Sequence, residues 1–381
     1  MSDSSDDNFQ GFSAHEIELA SERYRQTLAL NGIGDDIEIS DVESELSDEN
    51  NEDPIFLIGL PHLFTLRNNT GSQTVLGIEK DPVDFFQLSL GDNLIQNIID
   101  KTESYANKQI RDHPDQNKSV WSCPTIVEMK AFFGLTFLMG IEVKPDIKSY
   151  WSTDCLETPY FATVMTRDRF QQIMRYLPFP DSNNNIPQLG DPNHDCLYKV
   201  RYFMNALNEQ MRNQYVPKRQ VCVDESMILF KGKVNFKQYM SAKPSKWGIK
   251  LWALAESDSG YMSFCEIYSG KKDRPVQGLA CSVVKSCVEG AGLVDHGYHI
   301  YMDNFFTSPA LFVDLFHNFN TGACGTVRKN RKGLPKELMI KKPTGVNERG
   351  QSQFRQKETI AATIWKDKKL SQSYLLSMTT Q

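Results

Sequence analysis

Two short apolar runs, far apart in the chain, each lead directly into an aspartate that is followed by another polar residue. The first run is Val221–Asp224 and the second is Tyr298–Asp303. Runs of Val, Ile and Tyr between polar residues favour β-strands with at least one buried face. The commonest role of an aspartate at such a position is to begin a turn. The other interpretation is that two such aspartates on neighbouring strands hold a divalent metal ion, because hard cations prefer carboxylate oxygens.

The chain between and after these runs predicts a fixed order of strands and helices. Alternation of apolar and polar residues predicts strands, and apolar residues three and four positions apart predict helices. After the strand that leads to Asp224, the predicted elements are an extended connector over 235–240, strands over 249–255 and 261–268, a helix over 277–289, the strand that leads to Asp303, a helix that begins after the N-cap Ser308, and a strand over 322–327. This is the order of a ribonuclease-H-like core, in which the first and fourth strands are neighbours. The order therefore predicts that Asp224 and Asp303 lie close together.

The chain before this core carries a different pattern. Over 84–215 the apolar spacing is mostly helical, with predicted helices over 85–99, 127–140, 168–177 and 198–215. Residues 1–54 carry 16 acidic and 2 basic side chains, a net charge of −14, which leaves 32 acidic and 40 basic side chains, a net charge of +8, for the remainder. So many like charges predict a disordered acidic tail. The simplest role of this tail is to keep the protein soluble. A more specific role is to screen the remaining, basic part of the chain from non-specific DNA binding.

Several classes of protein and of site are disfavoured by the sequence. No apolar run reaches the ~18 residues that a membrane span needs. The eight cysteines include no C-x-x-C pair, which favours reduced thiols inside the cell. The loop 191–196 contains residue types that bind metals, but it has no second cluster at a suitable spacing and is interpreted as a surface loop. The sequence therefore predicts neither a membrane anchor nor a small-molecule cofactor.

A series of short motifs in the core provides the most specific signal. The motifs are Asp224–Met227, Lys231–Lys233, Phe236–Trp252, Asp303–Ser308, Gly325–Arg328 and Arg331–Pro335. In these motifs the chain resembles the piggyBac-type transposases and the host proteins derived from them. With further matches upstream, the resemblance extends from about Asp81 to the C-terminus and covers most of the chain.

The resemblance implies a chemistry for the two aspartates. Members of the family are cut-and-paste DNA transposases that use three aspartates and magnesium to cleave and join DNA strands, and Asp224 and Asp303 match two of the three. The third lies on a helix beyond the insertion after the last core strand, whereas this chain ends at Gln381. The resemblance therefore implies a C-terminally truncated member that does not transpose, because a two-metal site without one ligand loses most of its catalytic power. Asp367, between lysines, is interpreted as a solvated charge.

Together, the pattern and the resemblance predict an α/β protein. It has a helical N-terminal domain, an incomplete ribonuclease-H-like core and a fragmentary β insertion. The predicted divisions are a disordered acidic tail over 1–54, a helical domain similar to the family's dimerisation and DNA-binding domain over 55–217, the core over 218–328 and part of the insertion over 329–381.

Two sets of basic residues flank the aspartates in sequence. They are Lys231, Lys233, Lys246 and Lys250 in the first set, and Arg328, Lys329, Arg331 and Lys332 in the second. A single lysine is most often a solvated surface residue, but two sets beside a carboxylate pair in this family resemble a track for DNA phosphates. The resemblance thus implies duplex DNA as the partner, Mg²⁺ at Asp224 and Asp303, a homodimer and a nuclear location. The alternative is an exapted DNA- or chromatin-binding regulatory protein without catalysis.

Overall fold

The computed structural model describes the chain in segments that all belong to one compact unit, Pro54–Gln381. The described residues are 66, 69–74, 81–114, 120–153, 159–177, 195–241, 243, 246–270, 278–336, 346, 348–366 and 372–378. The predicted acidic tail, most of the 191–196 loop and Asp367 lie outside them. None of the helices within these segments has both the length and the apolar content needed to cross a bilayer.

The first half of the described chain is mostly helical. After the short strand β1 (Gly71–Ser72), its elements are α1 (Pro82–Ser89), α2 (Asp92–Asp112), α3 (Ile126–Ile141), a 3₁₀ helix (Ile147–Trp151), α4 (Tyr160–Val164), α5 (Arg167–Tyr176), α6 (Tyr198–Gln214) and the short strand β2 (Tyr215–Val216), which pairs with β1. The single helix predicted over 85–99 is therefore two helices. They separate at Gly91, whose extended backbone (φ −69°, ψ 163°) begins α2.

An apolar core holds these helices together. Ile95 and Ile98 of α2, Met129 of α3 and Ile173 of α5 are all fully buried within it. Polar contacts fix the same helices, since Arg169 of α5 pairs with Glu128 at the start of α3, with Nε 2.7 Å from Oε1. The helical part is thus a packed layer and not a set of independent helices.

The second half is built around one mixed sheet. Its strands are β3 (Gln220–Leu229), β4 (Gln238–Tyr239), β5 (Trp247–Glu256), β6 (Met262–Ile267), β7 (His299–Met302), β8 (Gly322–Thr326), β9 (Ser352–Lys357), β10 (Ile360–Lys366) and β11 (Gln372–Met378). The order across the sheet is β4-β5-β3-β7-β8-β11-β10-β9, and β6 also pairs with β5. The β3–β7 and β7–β8 pairs are parallel, and the other pairs are antiparallel.

Two helices complete the core. They are α7 (Leu279–Gly290), which contacts β5 and β6, and α8 (Pro309–Phe319), which contacts β8. The predicted N-cap of α8 is confirmed, because the Ser308 hydroxyl accepts a hydrogen bond from the main-chain N–H of Leu311. Val284 of α7 and Phe312 of α8 are fully buried. Both helices therefore cover apolar surface of the sheet.

The first strand of the core is longer than its sequence suggested. The run ending at Asp224 predicted a strand end, but β3 continues to Leu229. The reason is its antiparallel partner β5, which pairs with β3 from Val221 to Leu229 without interruption. The parallel ladder with β7 is shorter and stops at Val223, opposite Met302. Asp224 thus lies inside β3, at the point where the neighbouring strand ends.

The junction between the helices and the sheet is made of polar contacts as well as apolar ones. The side chain of Asn208 on α6 both donates to the carbonyl of Cys265 and accepts from its N–H, each at 2.9 Å. These bonds satisfy main-chain groups of β6. At the start of the core, buried Glu256 accepts hydrogen bonds from the Tyr215 hydroxyl and from the N–H of Lys218. Helices and sheet are therefore tied together directly.

Candidate acidic site

The two aspartates singled out in the sequence come to the same place in the sheet. Asp224 follows Val223 on β3, and Asp303 follows Met302 on β7, and these two preceding residues are register partners in a parallel ladder. Parallel neighbours carry equivalent positions to the same end of a sheet. The negative charge of Asp224 contributes to the raised pKa of Asp303, so the two carboxylates interact electrostatically.

The loop after β7 holds Asp303 in a defined position. Its Oδ1 accepts a hydrogen bond of 3.0 Å from the N–H of Phe305, and its carbonyl accepts one of 2.7 Å from the Thr307 hydroxyl. Buried Phe305 and Phe306 both contact the indole of Trp252, with ring centroids 5.8 and 5.6 Å away. The loop is therefore anchored by an aromatic cluster beneath it.

The backbone of β8 also approaches this loop very closely. Gly325 pairs with Met302, the residue before Asp303. A Cβ atom at Gly325 would overlap the Thr307 hydroxyl and the main-chain oxygen of Met302. Glycine is thus required at this position by close approach.

Both aspartates are harder to ionise than ordinary ones, although each keeps solvent-exposed surface. Burial raises the pKa of Asp303 to about 6, and the negative charges of Glu225 and Asp224 contribute smaller increases. The hydrogen bond from the N–H of Phe305 acts in the other direction and lowers this pKa. The pKa of Asp224 is also raised, mainly by burial and then by the charge of Glu225. Negative charge is therefore concentrated here at an energetic cost.

We expect Asp303→Asn to stabilise the folded chain at neutral pH. The folded-state pKa lies above the unfolded value, so the native protein loses stability as pH rises from about 4 to about 6. Asparagine removes this cost and can still accept from Phe305. A shift of this size corresponds to ~3 kcal/mol for a buried group, but exposure to solvent reduces the expected gain to about 1 kcal/mol.

Urea unfolding of both proteins at about pH 7.5 and about pH 3.5 tests this expectation. The acidic condition is the internal control, since Asp303 is there protonated in the folded state and largely protonated in the unfolded state, and the two proteins should be almost equally stable. A stability gain that is the same at both pH values would contradict the electrostatic explanation.

Three charged residues beside the aspartates were not assigned to the acidic site from sequence. Glu225 is mostly buried, and its Oε1 is 3.2 Å from Nζ of Lys243. Lys250 is only 5% exposed, with its ammonium 4.0 Å from the centroid of the Trp252 ring. Burial is the main cause of the lowered pKa of Lys250, and the charges of Glu225 and both aspartates oppose it. The buried position of Lys250 differs from the exposed phosphate contact predicted for it, because β5 turns this side chain to the inner face of the sheet.

The two arginines of the second basic set face the Asp303 loop. Nε of Arg328 donates to the side-chain oxygen of Asn304 at 3.0 Å. The guanidinium of Arg331 donates to the carbonyls of Asn304 and Phe305. In this structure both arginines therefore brace the loop, and the phosphate contact predicted for them stays a prediction. The remaining predicted contacts, Lys231, Lys233, Lys246, Lys329 and Lys332, are exposed.

The donor types at this site suit a hard cation. Carboxylate oxygens are the ligands that Mg²⁺ prefers, and the mutual repulsion of Asp224 and Asp303 is what a bound cation relieves. Among the side chains that the structure describes, no cluster of three or more His, Cys, Asp or Glu residues is arranged to hold a metal. The oxygen donors that Asp224 and Asp303 offer are nevertheless of the type that a hard cation prefers.

Comparison with known proteins finds a transposase family and proteins derived from piggyBac transposable elements. The family model described as Transposase IS4 matches residues 81–381. Human PiggyBac transposable element-derived protein 3 is 29% identical over 287 residues, covering 73% of this chain and 45% of that protein. Human PiggyBac transposable element-derived protein 5 is 27% identical over 305 residues, covering 75% and 55% respectively. The chain thus spans about half the length of these relatives.

A solved structure is similar over most of the chain. It is the piggyBac transposase synaptic complex with hairpin DNA, determined by cryo-EM. The match has a TM-score of 0.69 and 25% sequence identity, and covers 81% of this chain and 63% of that one. These similarities confirm the resemblance seen in the sequence motifs.

Proposed function

Because the chain belongs to the Transposase IS4 family, we propose that it binds duplex DNA beside a metal-binding pair formed by Asp224 and Asp303. The observation that carries the proposal is the parallel pairing of β3 with β7, which brings these aspartates to one end of the sheet. The exposed lysines on either side supply the positive charge that DNA phosphates require. Duplex DNA as a partner also implies a nuclear location.

The sheet order supports a ribonuclease-H-like assignment for the core. The strands of the core lie in the spatial order β6-β5-β3-β7-β8. The β6–β5 and β5–β3 pairs are antiparallel, and the β3–β7 and β7–β8 pairs are parallel. This is the arrangement that the predicted order of elements requires. Strands β9 to β11 continue the sheet beyond β8, through the pairing of Leu375–Ser377 with Cys324–Thr326.

The chain's own residues define what the acidic site can do. The loop residues Phe305 and Thr307 fix Asp303, and Arg328 and Arg331 hold the following backbone in place. Mg²⁺ held by Asp224 and Asp303 would supply Lewis-acid stabilisation of a phosphate oxygen. DNA binding is the primary function that we propose. Strand cleavage is the second candidate, and the paired aspartates are the observation that favours it.

The DNA-binding proposal predicts that Lys329→Gln and Lys332→Gln each weaken binding to a short duplex. Each removes one exposed phosphate contact, so affinity should fall by about threefold to tenfold at low salt, and the slope of log affinity against log salt should decrease by about one unit. Fluorescence anisotropy across a salt series measures both quantities.

The matched control is Lys357→Gln, which removes an exposed lysine from β9 at the far end of the sheet order. It should leave the affinity and the salt slope almost unchanged. No binding by the native chain at low salt would contradict the proposal, and an equal loss in all three variants would show that the effect is one of net charge alone.

A further inference from the structure

Lys250 is a buried cation that the proposed DNA contacts do not use. It lies on β5, opposite Met227 in the antiparallel ladder with β3. Its side chain is 5% exposed, and its ammonium lies 4.0 Å from the ring centroid of Trp252 and 5.7 Å from that of Phe305. A buried ammonium is costly unless negative charge or an aromatic face compensates it. The burial of this ammonium group therefore has an energetic cost that calls for a reason.

The charges around Lys250 supply that reason. Glu225 is the register partner of Trp252, two residues from Lys250 on β5, so Glu225 and Lys250 project from the same face of the sheet. Asp224 and Asp303 also lie within electrostatic range of the ammonium. The other neighbouring cation, Lys243, is already engaged in an ion pair with Glu225. Lys250 therefore lies on the Glu225 face of the sheet, behind Asp224, whose side chain projects from the opposite face.

These charges together affect how strongly a divalent metal ion would bind at the aspartates. Three carboxylates and two ammonium groups give the cluster a net charge of about −1 when all are ionised. A divalent cation that approaches the aspartates from solvent meets the attraction of their carboxylates and the repulsion of Lys250 behind them. Removing the ammonium charge would deepen the negative potential at the aspartates without removing any of their oxygens.

We propose that Lys250 is a positioning residue that neutralises part of the negative charge of the acidic site from inside the sheet and thereby weakens the binding of a metal ion there. The inference rests on the proposed metal-binding role of Asp224 and Asp303. It assigns Lys250 to the acidic site and not to the DNA surface. Lys250 thus acts through the aspartates and has no contact with DNA phosphates.

The test is the affinity of the full chain for Mn²⁺, measured by isothermal titration in the absence of DNA. Lys250→Met keeps the length and apolar stem of the side chain, and with them the packing on Trp252, and removes only the charge. We expect its Mn²⁺ affinity to be about tenfold higher than that of the native chain. Lys357→Met, which removes an exposed lysine far away on β9, should leave the affinity unchanged.

Two further measurements distinguish Mn²⁺ binding at the aspartates from binding elsewhere in the chain and from loss of folding. Residues 1–54 carry 16 carboxylates that offer further ligands for Mn²⁺, so the signal is taken as the part of the binding that the double substitution Asp224→Asn/Asp303→Asn removes. A circular dichroism melt of each variant establishes that it is folded. If Lys250→Met does not fold, Lys250→Gln gives the same comparison with a smaller neutral side chain.

The outcomes are distinct from those of the DNA-binding proposal. Tighter Mn²⁺ binding with an unchanged salt slope for duplex DNA supports the inference, whether or not the lysine variants on the DNA surface behave as expected. An unchanged or weaker Mn²⁺ affinity in a folded neutral variant would overturn it. So would the absence of Mn²⁺ binding at the aspartates in every protein, or a salt slope that falls by about one unit, which would identify Lys250 as a phosphate contact.

Discussion

Deletion of residues 1–54 should raise the affinity of the chain for duplex DNA by about tenfold at ~50 mM salt. The deleted segment has a net charge of −14 and the remaining residues have a net charge of +8. A tethered acidic segment would compete with DNA phosphates for the same lysines, because tethering gives it a high local concentration. Because the competition is electrostatic, the gain should shrink as salt rises.

Anisotropy titrations of the full and shortened chains across a salt series measure this gain. The matched control keeps the length of the segment but replaces the ten acidic residues between Asp35 and Asp53 by their amides. It should reproduce most of the gain if charge is the cause. Equal affinities of the full and shortened chains at low salt would rule out screening and leave solubility as the role of the segment.

Gly325→Ala should be the most destabilising of the small substitutions near the acidic site. The added methyl group would overlap the Thr307 hydroxyl and the main-chain oxygen of Met302. Neither can retreat easily, because Met302 belongs to the β7 ladder and Thr307 is bonded to the carbonyl of Asp303. Overpacking of this kind costs about 1–3 kcal/mol or more, and here the displacement would fall directly on Asp303.

Denaturant unfolding compares this variant with Gly134→Ala. Gly134 lies within α3, and a Cβ there would meet no atom within 4 Å. Alanine at that exposed helical position should stabilise the chain by about 0.5–1 kcal/mol. A Gly325→Ala variant as stable as the native chain, with unchanged Mn²⁺ binding, would show that β7 and β8 separate more easily than the close approach indicates.

Local signals in the sequence were enough to predict several elements. Ser308 followed by Pro309 is a helix start whose chemistry is contained in two residues, and α8 begins there. The alternation over 261–268 likewise predicted β6 to within about one residue at each end. Such signals can be read without knowledge of distant contacts, because the side chain that determines the structure interacts with residues only a few positions away in the sequence.

Features set by a partner strand were not predictable in the same way. The length of β3 depends on its pairing with β5, so the sequence around Asp224 suggested an end where the strand continues. The burial of Lys250 depends on which face of β5 packs against Trp252 and Phe305. The contacts of Arg331 join it to residues 26 and 27 positions earlier in the chain. A lysine or arginine in isolation favours the surface, and only the assembled sheet reverses that expectation.

The parallel ladder of β3 with β7 has a consequence for how the chain is made. Asp224 and Asp303 are joined through four residue pairs, Gln220–Val223 with His299–Met302. A ribosome that adds ~5–20 residues per second needs roughly 4–16 s to pass from one aspartate to the other. During that interval the β3–β5–β6 meander can form, but the side of β3 that will receive β7 has no strand to pair with. An exposed strand side is a template for pairing with other chains. Synthesis is therefore the stage at which we expect this fold to depend most on chaperones.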